Sequence, residues 1–470
     1  MPLLRRHARL QALSVLIVAA SSIAARGEVG IVSERENGPF RHVRALQDIA
    51  SANGGNRAAG TPGYDASATY VAERLSEGGY AVRLEPFTFT TFEERSPPVL
   101  ASGDGSAYVT PPEAMRTLRN SGSADVTARL QGVDLGVDKV PLGPSTSGCE
   151  PEDFATLAPG AIALVRRGTC PFQRKVELAA AAKAAGVIVM NQGTDGQTDR
   201  FSGQLASPAP IPVLGVSTEV GRRLAAIAEA TPDATLRLKV DAETAQRSTH
   251  NVIAQRGPLD GTFTVVGAHL DSVPEGPGMN DNASGSAAIL EAALRLARAT
   301  EPGPPVRFAF WGAEERGLVG SRHHLDALPE DERRRIDLYV NLDMVGSPNF
   351  GRFVQLTKEG RSGSVGRAFE AVSRSFADHG LPVEERSGRG RGYGSDDATF
   401  AAKGIPTIGL FTGAGGAKSE AHARLFGGKA AQPFDPCYHK ACDTSGNIDV
   451  PVLNEMTDAL SAALNRLAAP

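Results

Sequence analysis

The stretch FTVVGAHLDSVPEGPGMNDNASGSAAILEAALRLARA, residues 263–299, opens as an unbroken apolar run, loosens into a glycine- and proline-rich loop, and closes as an alanine- and leucine-rich segment. A short apolar run without alternation reads as a strand covered on both faces, and 286–299 is long enough for a helix. The same alternation continues downstream. Strands are expected at 306–311, 338–342 and 406–410, and helices at 321–328, 365–379 and 452–467, with a further strand beginning at 251–254. Strands alternating with helices at this spacing predict an α/β fold with a mostly parallel central sheet flanked by helices.

Working outward, 41–49 and 66–77 read as amphipathic helices around the loop NGGNRAAGTPG, and 80–92 alternates like an edge strand. From about Pro97 to Pro144 the texture changes to short β-rich pieces with many glycines and prolines. A strand at 161–165, a turn at 166–170, a helix at 172–185 and a strand at 186–190 then form a βαβ unit. Another strand at 211–216 and a helix at 217–230 follow. This part holds no cluster of titratable residues, so it reads as a packing or binding module.

The chain has 470 residues, 41% apolar and 22% charged, a soluble globular composition with room for more than one domain. A net charge of −4 gives no basic field, so neither nucleic acid nor an anionic membrane surface is expected as a partner. Residues 1–25 read as a signal peptide. Arg5, Arg6 and Arg9 precede an apolar stretch over 10–23, which ends in small residues at Ala24 and Ala25. That stretch falls short of the roughly 20 residues a membrane span needs. The mature protein is therefore expected outside the cytoplasm, extracellular or periplasmic, and free of the membrane. Four cysteines suit that setting. Local pairing, Cys149–Cys170 and Cys437–Cys442, is the simplest choice, and the longer loop would contribute about 3 kcal/mol. A structural zinc site at Cys437, His439 and Cys442 lacks a fourth ligand nearby.

In parallel sheets, ligand groups collect at the carboxyl ends of strands. His269 follows one expected strand, Glu314 and Glu315 another, and Asp343 a third. Asp281 stands too far ahead of its helix to be the cap, a place that Asn282 or Ser284 fits better. With His439, these residues form a mixed carboxylate and imidazole set suited to two divalent ions sharing one carboxylate. Adjacent glutamates on a turn point in different directions. One can bind metal while the other faces substrate as a base.

The motifs HLDSV…GPGMNDNASGS, FWGAEERGLVGS, NLDMVGSPN and GLFTGA…GGKAAQPFDPCYHKACDT resemble the secreted, co-catalytic dizinc aminopeptidases of the bacterial leucyl aminopeptidase family. The resemblance runs from Asn251 to the C-terminus and includes 57–63. Residues 148–191 resemble a protease-associated (PA) domain. The implied division is 36–120 for the first part of a peptidase domain, 121–248 for an inserted PA domain and 249–470 for the catalytic part. The resemblance implies two zinc ions bridged by Asp281. His269 and Asp343 would complete one, and Glu315 and His439 the other. It further implies Glu314 as general base, Tyr438 as oxyanion donor and Asp271 as the residue holding the ring of His269. Cys437–Cys442 would clamp the Tyr438–His439 loop, and the Asp281–Asn282 peptide would be cis. The implied protein is a monomer that hydrolyses peptides with a free N-terminus and a large apolar first residue. A carboxypeptidase or dipeptidase of the same fold, a single-zinc glutaminyl cyclase and a non-catalytic receptor-like module are the alternatives. The chain departs from the family's Ser-Asp-His-x-x-Phe segment. It has Ser395-Asp396-Asp397-Ala398-Thr399-Phe400, with Arg389 and Arg391 upstream, which leaves open whether this segment is a mobile loop or sets specificity.

Overall fold

A computed structural model describes residues 38–103, 110–137, 145–194, 196–256, 259–299, 305–357, 360–386 and 394–468. The signal peptide expected at 1–25, and Arg389 and Arg391, lie outside these residues. Two compact units divide the chain, one formed by residues up to Phe89 and from Ser248 onward, the other by Thr90–Arg247.

In the first unit, Phe263–His269, Val306–Trp311, Ile336–Leu342 and Thr407–Phe411 form a parallel sheet centre. Phe353–Leu356 lies antiparallel to Thr407–Phe411, and residues 252–255 lie antiparallel to Val306–Trp311. The expectation of a mostly parallel sheet therefore holds at the centre and gives way toward the edges. Residues 343–352 carry no helix, so the chain returns to the sheet in the opposite direction. Period-two alternation sorts the side chains between two layers. Val266, Ala268, Phe308 and Phe310 join one core with the helices Pro39–Ala52, Gly285–Arg298, Gly363–Ala377 and Val450–Ala468. Phe263, Val265, Ala309 and Trp311 face the other way, against Leu325, Phe400 and Ile405. Pro39 and Pro62 open their helices, where a missing N–H costs nothing, and Thr61 caps the second by accepting from Tyr64 N–H. No helix among the described residues is long and apolar enough to cross a membrane.

In the second unit, Ala124–Gly132, Ile162–Arg166, Gly186–Met190 and Val213–Val216 run parallel, with helices Phe172–Ala181 and Thr218–Ala230 between strands. Cys149 and Cys170 are disulfide-bonded, as are Cys437 and Cys442 in the first unit. The division read from sequence put residues 90–120 with the peptidase part. The structure places them here, because Met115–Thr117 pairs antiparallel with residues 214–216. Leu100 and Met115 also join this unit's core. The sequence expected an edge strand to end near Phe92, but it runs unbroken as Ala81–Ser102. Among the described residues this strand has a single partner, and because successive N–H groups point to opposite edges, the free edge accommodates one of the adjacent Pro97 and Pro98.

One buried ion pair ties the start of that strand to the first unit. Glu85 Oε2 lies 2.9 Å from His324 Nδ1 and accepts from Asn251 Nδ2, while Arg83 pairs with Oε1. Burial pushes the Glu85 carboxyl up, but these partners outweigh it and bring it down to about 2 from 4.5. A depressed carboxyl adds stability that is complete above about pH 4.5 and is lost as pH falls through about 2. Glu85→Gln should therefore cost about 1–3 kcal/mol at neutral pH. The gap to wild type should close between pH 4.5 and 2, a window set by those two values. The one tryptophan, Trp311, stands 5.2 Å from His324 and reports unfolding in urea. A gap that stays constant across that window would refute the assignment.

Candidate metal centre

The three carboxyl strand ends meet on one rim. His269 is the last residue of its strand, Glu314 and Glu315 follow Trp311 by a short turn, and Asp343 follows Leu342 directly. Asp281 arrives from the loop before the helix Gly285–Arg298, and its peptide bond to Asn282 is cis. His439 comes from the disulfide-closed loop 437–442. Backbone strain concentrates here: Ala313, Met344 and His439 all hold positive φ, between 54° and 57°.

Asp281 is the centre of the geometry. Its Oδ1 lies 3.2 Å from His269 Nε2 and its Oδ2 lies 3.0 Å from His439 Nε2. Asp343 Oδ1 is 3.4 Å from His269 Nε2, and Glu315 Oε1 is 3.3 Å from His439 Nε2. Two triads result, His269–Asp281–Asp343 and Asp281–Glu315–His439, each with donor atoms within 4.8 Å of one another. His269, Glu314 and Glu315 form a third such group, which the sequence had not suggested.

The donors are those of a cation site rather than of a self-contained hydrogen-bond network. Glu315 Oε1 and Asp343 Oδ1 are buried, and beyond the charge contact each has with an imidazole they accept no hydrogen bond among the described residues. Burial raises the Glu314 carboxyl well above its ordinary range, helped by Asp396, Asp343 and Glu315 and opposed by His269. Burial and Asp281 push Glu315 up to about 7. Burial pulls the His269 imidazole down, yet Glu314, Asp343, Asp271 and Asp281 together lift it well above 6.5. Burial likewise opposes protonation of His439, which Asp281 and Glu315 nevertheless raise to about 10. Too many carboxylates share too little volume, and divalent cations relieve that crowding.

The surrounding hydrogen bonds aim the donors. His269 Nδ1 meets the backbone carbonyl of Asp271 at 3.0 Å, which leaves the Nε2 lone pair for a cation. The Asp271 carboxylate lies beyond hydrogen-bond reach of that ring but within ion-pair range, its Oδ1 3.8 Å from Nδ1. It also accepts from the N–H groups of Glu314 and Glu315 at 3.1 and 3.4 Å, fixing the turn that carries both.

Other groups went unassigned in the sequence. Asp443 accepts from Asn280 N–H and Asp281 N–H at 2.8 and 3.0 Å. Asn282 Oδ1 accepts from Gly285 N–H and Met344 N–H, so Asn282 serves as the expected cap and also tethers the Asp343 strand end. Arg57 is fully buried and donates to the carbonyls of Leu270, Pro277 and Gly278. Gly278 itself must be glycine, because a Cβ there would stand 2.3 Å from Asp281 O. Only the side-by-side carboxamide and carboxylate pattern of MNDN and CDTSGN hinted at such a network.

Tyr438 stacks on the His439 ring at 3.9 Å and lines a cavity of about 170 Å³ with Met344, Gln355, Ser395, Phe411 and Ala414. Burial and the surrounding carboxylates keep its phenol protonated. The opening is smaller than the roughly 300 Å³ common for ligand sites, so it fits one side chain better than an extended peptide. In the departing segment, Ser395 faces this cavity. Asp397 begins the helix Asp397–Ala402, and its carboxylate accepts from Ser395 N–H.

Residues 251–464 match the model of peptidase family M28, and residues 135–224 match that of the PA domain. An aminopeptidase of Pseudomonas aeruginosa is 42% identical over 90% of this chain and 78% of its own length. The structure of an aminopeptidase from Aneurinibacillus sp. strain AM-1 superposes with a TM-score of 0.68 at 28% identity, covering 93% of this chain and 95% of the other. A zinc aminopeptidase from Bacillus subtilis superposes at 0.60 with 26% identity, covering 91% and 94%.

If Asp443 aims Asp281, Asp443→Asn should weaken zinc binding by about 10- to 100-fold. Titration of metal-stripped protein against a competing chelator measures this, and an unchanged affinity would remove Asp443 from the site.

Proposed function

The chain belongs to peptidase family M28, and on that premise we propose that it is an exported, zinc-dependent aminopeptidase acting as a monomer on peptides with a free N-terminus. One observation carries the reading: the two oxygens of Asp281 face two imidazoles, each backed by a further carboxylate. His269, Asp281 and Asp343 would hold one zinc ion, and Asp281, Glu315 and His439 the other. When bound, the ions supply a Lewis acid and a water acidic enough to attack at neutral pH.

The chain's own residues perform the rest. Glu314 lines the cavity and would not be a ligand of either ion in this arrangement, so its carboxylate is available as a base. It takes the attacking water's proton and returns it to the leaving amine. Asp271 holds the Glu314 backbone and so fixes the path of that proton. The neutral Tyr438 hydroxyl donates to the oxygen that becomes negative during attack. Glu314 and Asp343 present negative charge to the substrate's α-ammonium, which favours the chain end over an internal bond. Met344, Phe411 and Ala414 offer an apolar wall to a large first side chain. Two disulfides among the described residues favour an oxidising, extracytoplasmic compartment.

Leu-p-nitroanilide should be hydrolysed and its N-acetyl analogue left intact, with chelation abolishing turnover and zinc restoring it. Glu314→Ala should lose about 10³-fold in kcat while elemental analysis still finds the metal. Asp281→Ala should lose metal as well as activity. Hydrolysis of the acetylated substrate, or full activity in the Glu314 variant, would overturn the assignment.

A further inference from the structure

Resting on that reading, we propose that Gln355 selects the substrate's first residue, favouring side chains with an apolar stem and a neutral hydrogen-bonding head, of which glutamine is the example. Within the strand Phe353–Leu356, Val354 and Leu356 enter the main core. The alternate face carries Phe353, packed among aromatic rings, and Gln355, which lines the cavity beside the metal donors. A glutamine in that place is not filling a core.

The neighbouring strands leave room for its carboxamide. Gln355 stands opposite Gly409, which in turn stands opposite Asn341. A Cβ on Gly409 would lie 3.0 Å from Gln355 Oε1, so the amide occupies the space that the missing side chain leaves. The polar side chain two strands across from Gln355 is already engaged. Asn341 Oδ1 accepts from the Tyr339 hydroxyl, and Asn341 Nδ2 donates to Ser395 Oγ. Among the described residues no group hydrogen-bonds the Gln355 side chain, which keeps both its donor and its acceptor capacity.

The chemistry of the head group follows. An aliphatic side chain closing on Gln355 strips water from the amide and gives nothing back. A carboxamide head replaces both lost hydrogen bonds, and sites built this way discriminate against analogues lacking the head. Met344, Phe411 and Ala414 accept the methylene stem. Glu314, which neither zinc ion would take as a ligand, keeps its negative charge on the same cavity and repels a carboxylate head, so glutamate is disfavoured against glutamine.

The test measures kcat/KM for the p-nitroanilides of Gln, Glu and Leu, with zinc-loaded wild type, Gln355→Leu and Gly409→Ala. Wild type should cleave the Gln substrate at least as well as the Leu substrate and far better than the Glu substrate. The Gln-to-Leu ratio should fall about tenfold in Gln355→Leu. It should fall in the same direction in Gly409→Ala, where the amide is displaced rather than removed. Inhibition by free glutamine against free leucine gives the same comparison without turnover. A ratio unchanged in both variants, while the Leu substrate is still cleaved, would overturn the role of Gln355 and leave the aminopeptidase reading standing. Failure of wild type to cleave any of the three would overturn that reading, and this inference with it.

Discussion

Everything at the rim depends on one carboxylate shared between two imidazoles. Asp281 can face His269 with one oxygen and His439 with the other only if its backbone is held while its neighbours repel it. Four carboxylates converge on this spot, and burial together with neighbouring negative charge pushes Glu314 and Glu315 toward protonation. Hydrogen bonds to the main chain hold them: Asp443 to Asp281 N–H, Asp271 to the Glu314–Glu315 turn, Asn282 to Met344 N–H. The fold thus carries an electrostatic load at its sheet rim that metal, not protein, is suited to relieve.

The load is spread over separate parts of the chain, which explains why packing must be so regular behind it. Phe263–His269, Val306–Trp311 and the inner part of Ile336–Leu342 are buried on both faces, so their ends are fixed in register before any ligand side chain is considered. Loops carry what the strands do not. Arg57 draws the Leu270, Pro277 and Gly278 carbonyls together with a buried guanidinium, joining the segment after His269 to the segment before Asp281. Among the described residues that cation has no carboxylate in ion-pair contact, and it offsets part of the negative field from Asp271, Asp443 and Asp281.

Much of this was legible in the sequence. Apolar runs that do not alternate announced the central strands, and acidic or imidazole residues directly after them announced the rim. What stayed hidden was direction. Asp271 reads as a partner for the His269 ring and stands 3.8 Å from it, but nothing in the sequence shows that the ring's hydrogen bond goes to the backbone carbonyl and the carboxylate's to the Glu314 N–H. Residue type cannot distinguish these, since both are acceptors within reach. The unit boundary was hidden for a related reason. Ala81–Ser102 and Thr235–Gln255 run through both units, and a strand's alternation reads the same on either side of the division. Gln355 was invisible because FVQL reads as any short strand until its register against Gly409 is known.

The contrast between the metal donors and the cavity wall separates two kinds of constraint. The donors are fixed by charge: exchanging Asp281 or His439 alters how much negative potential the rim must carry. The wall is fixed by shape and hydrogen bonding, and Met344 shows how closely the two are joined. It follows Asp343 directly, holds positive φ, gives its N–H to Asn282 and its carbonyl to Thr412, and lines the cavity. A residue so tethered cannot move the wall without moving Asp343. Gln355, two strands further out and with no side-chain hydrogen bond among the described residues, can change the wall alone. Selectivity in this chain can therefore vary at the outer strand while the charged rim stays as it is.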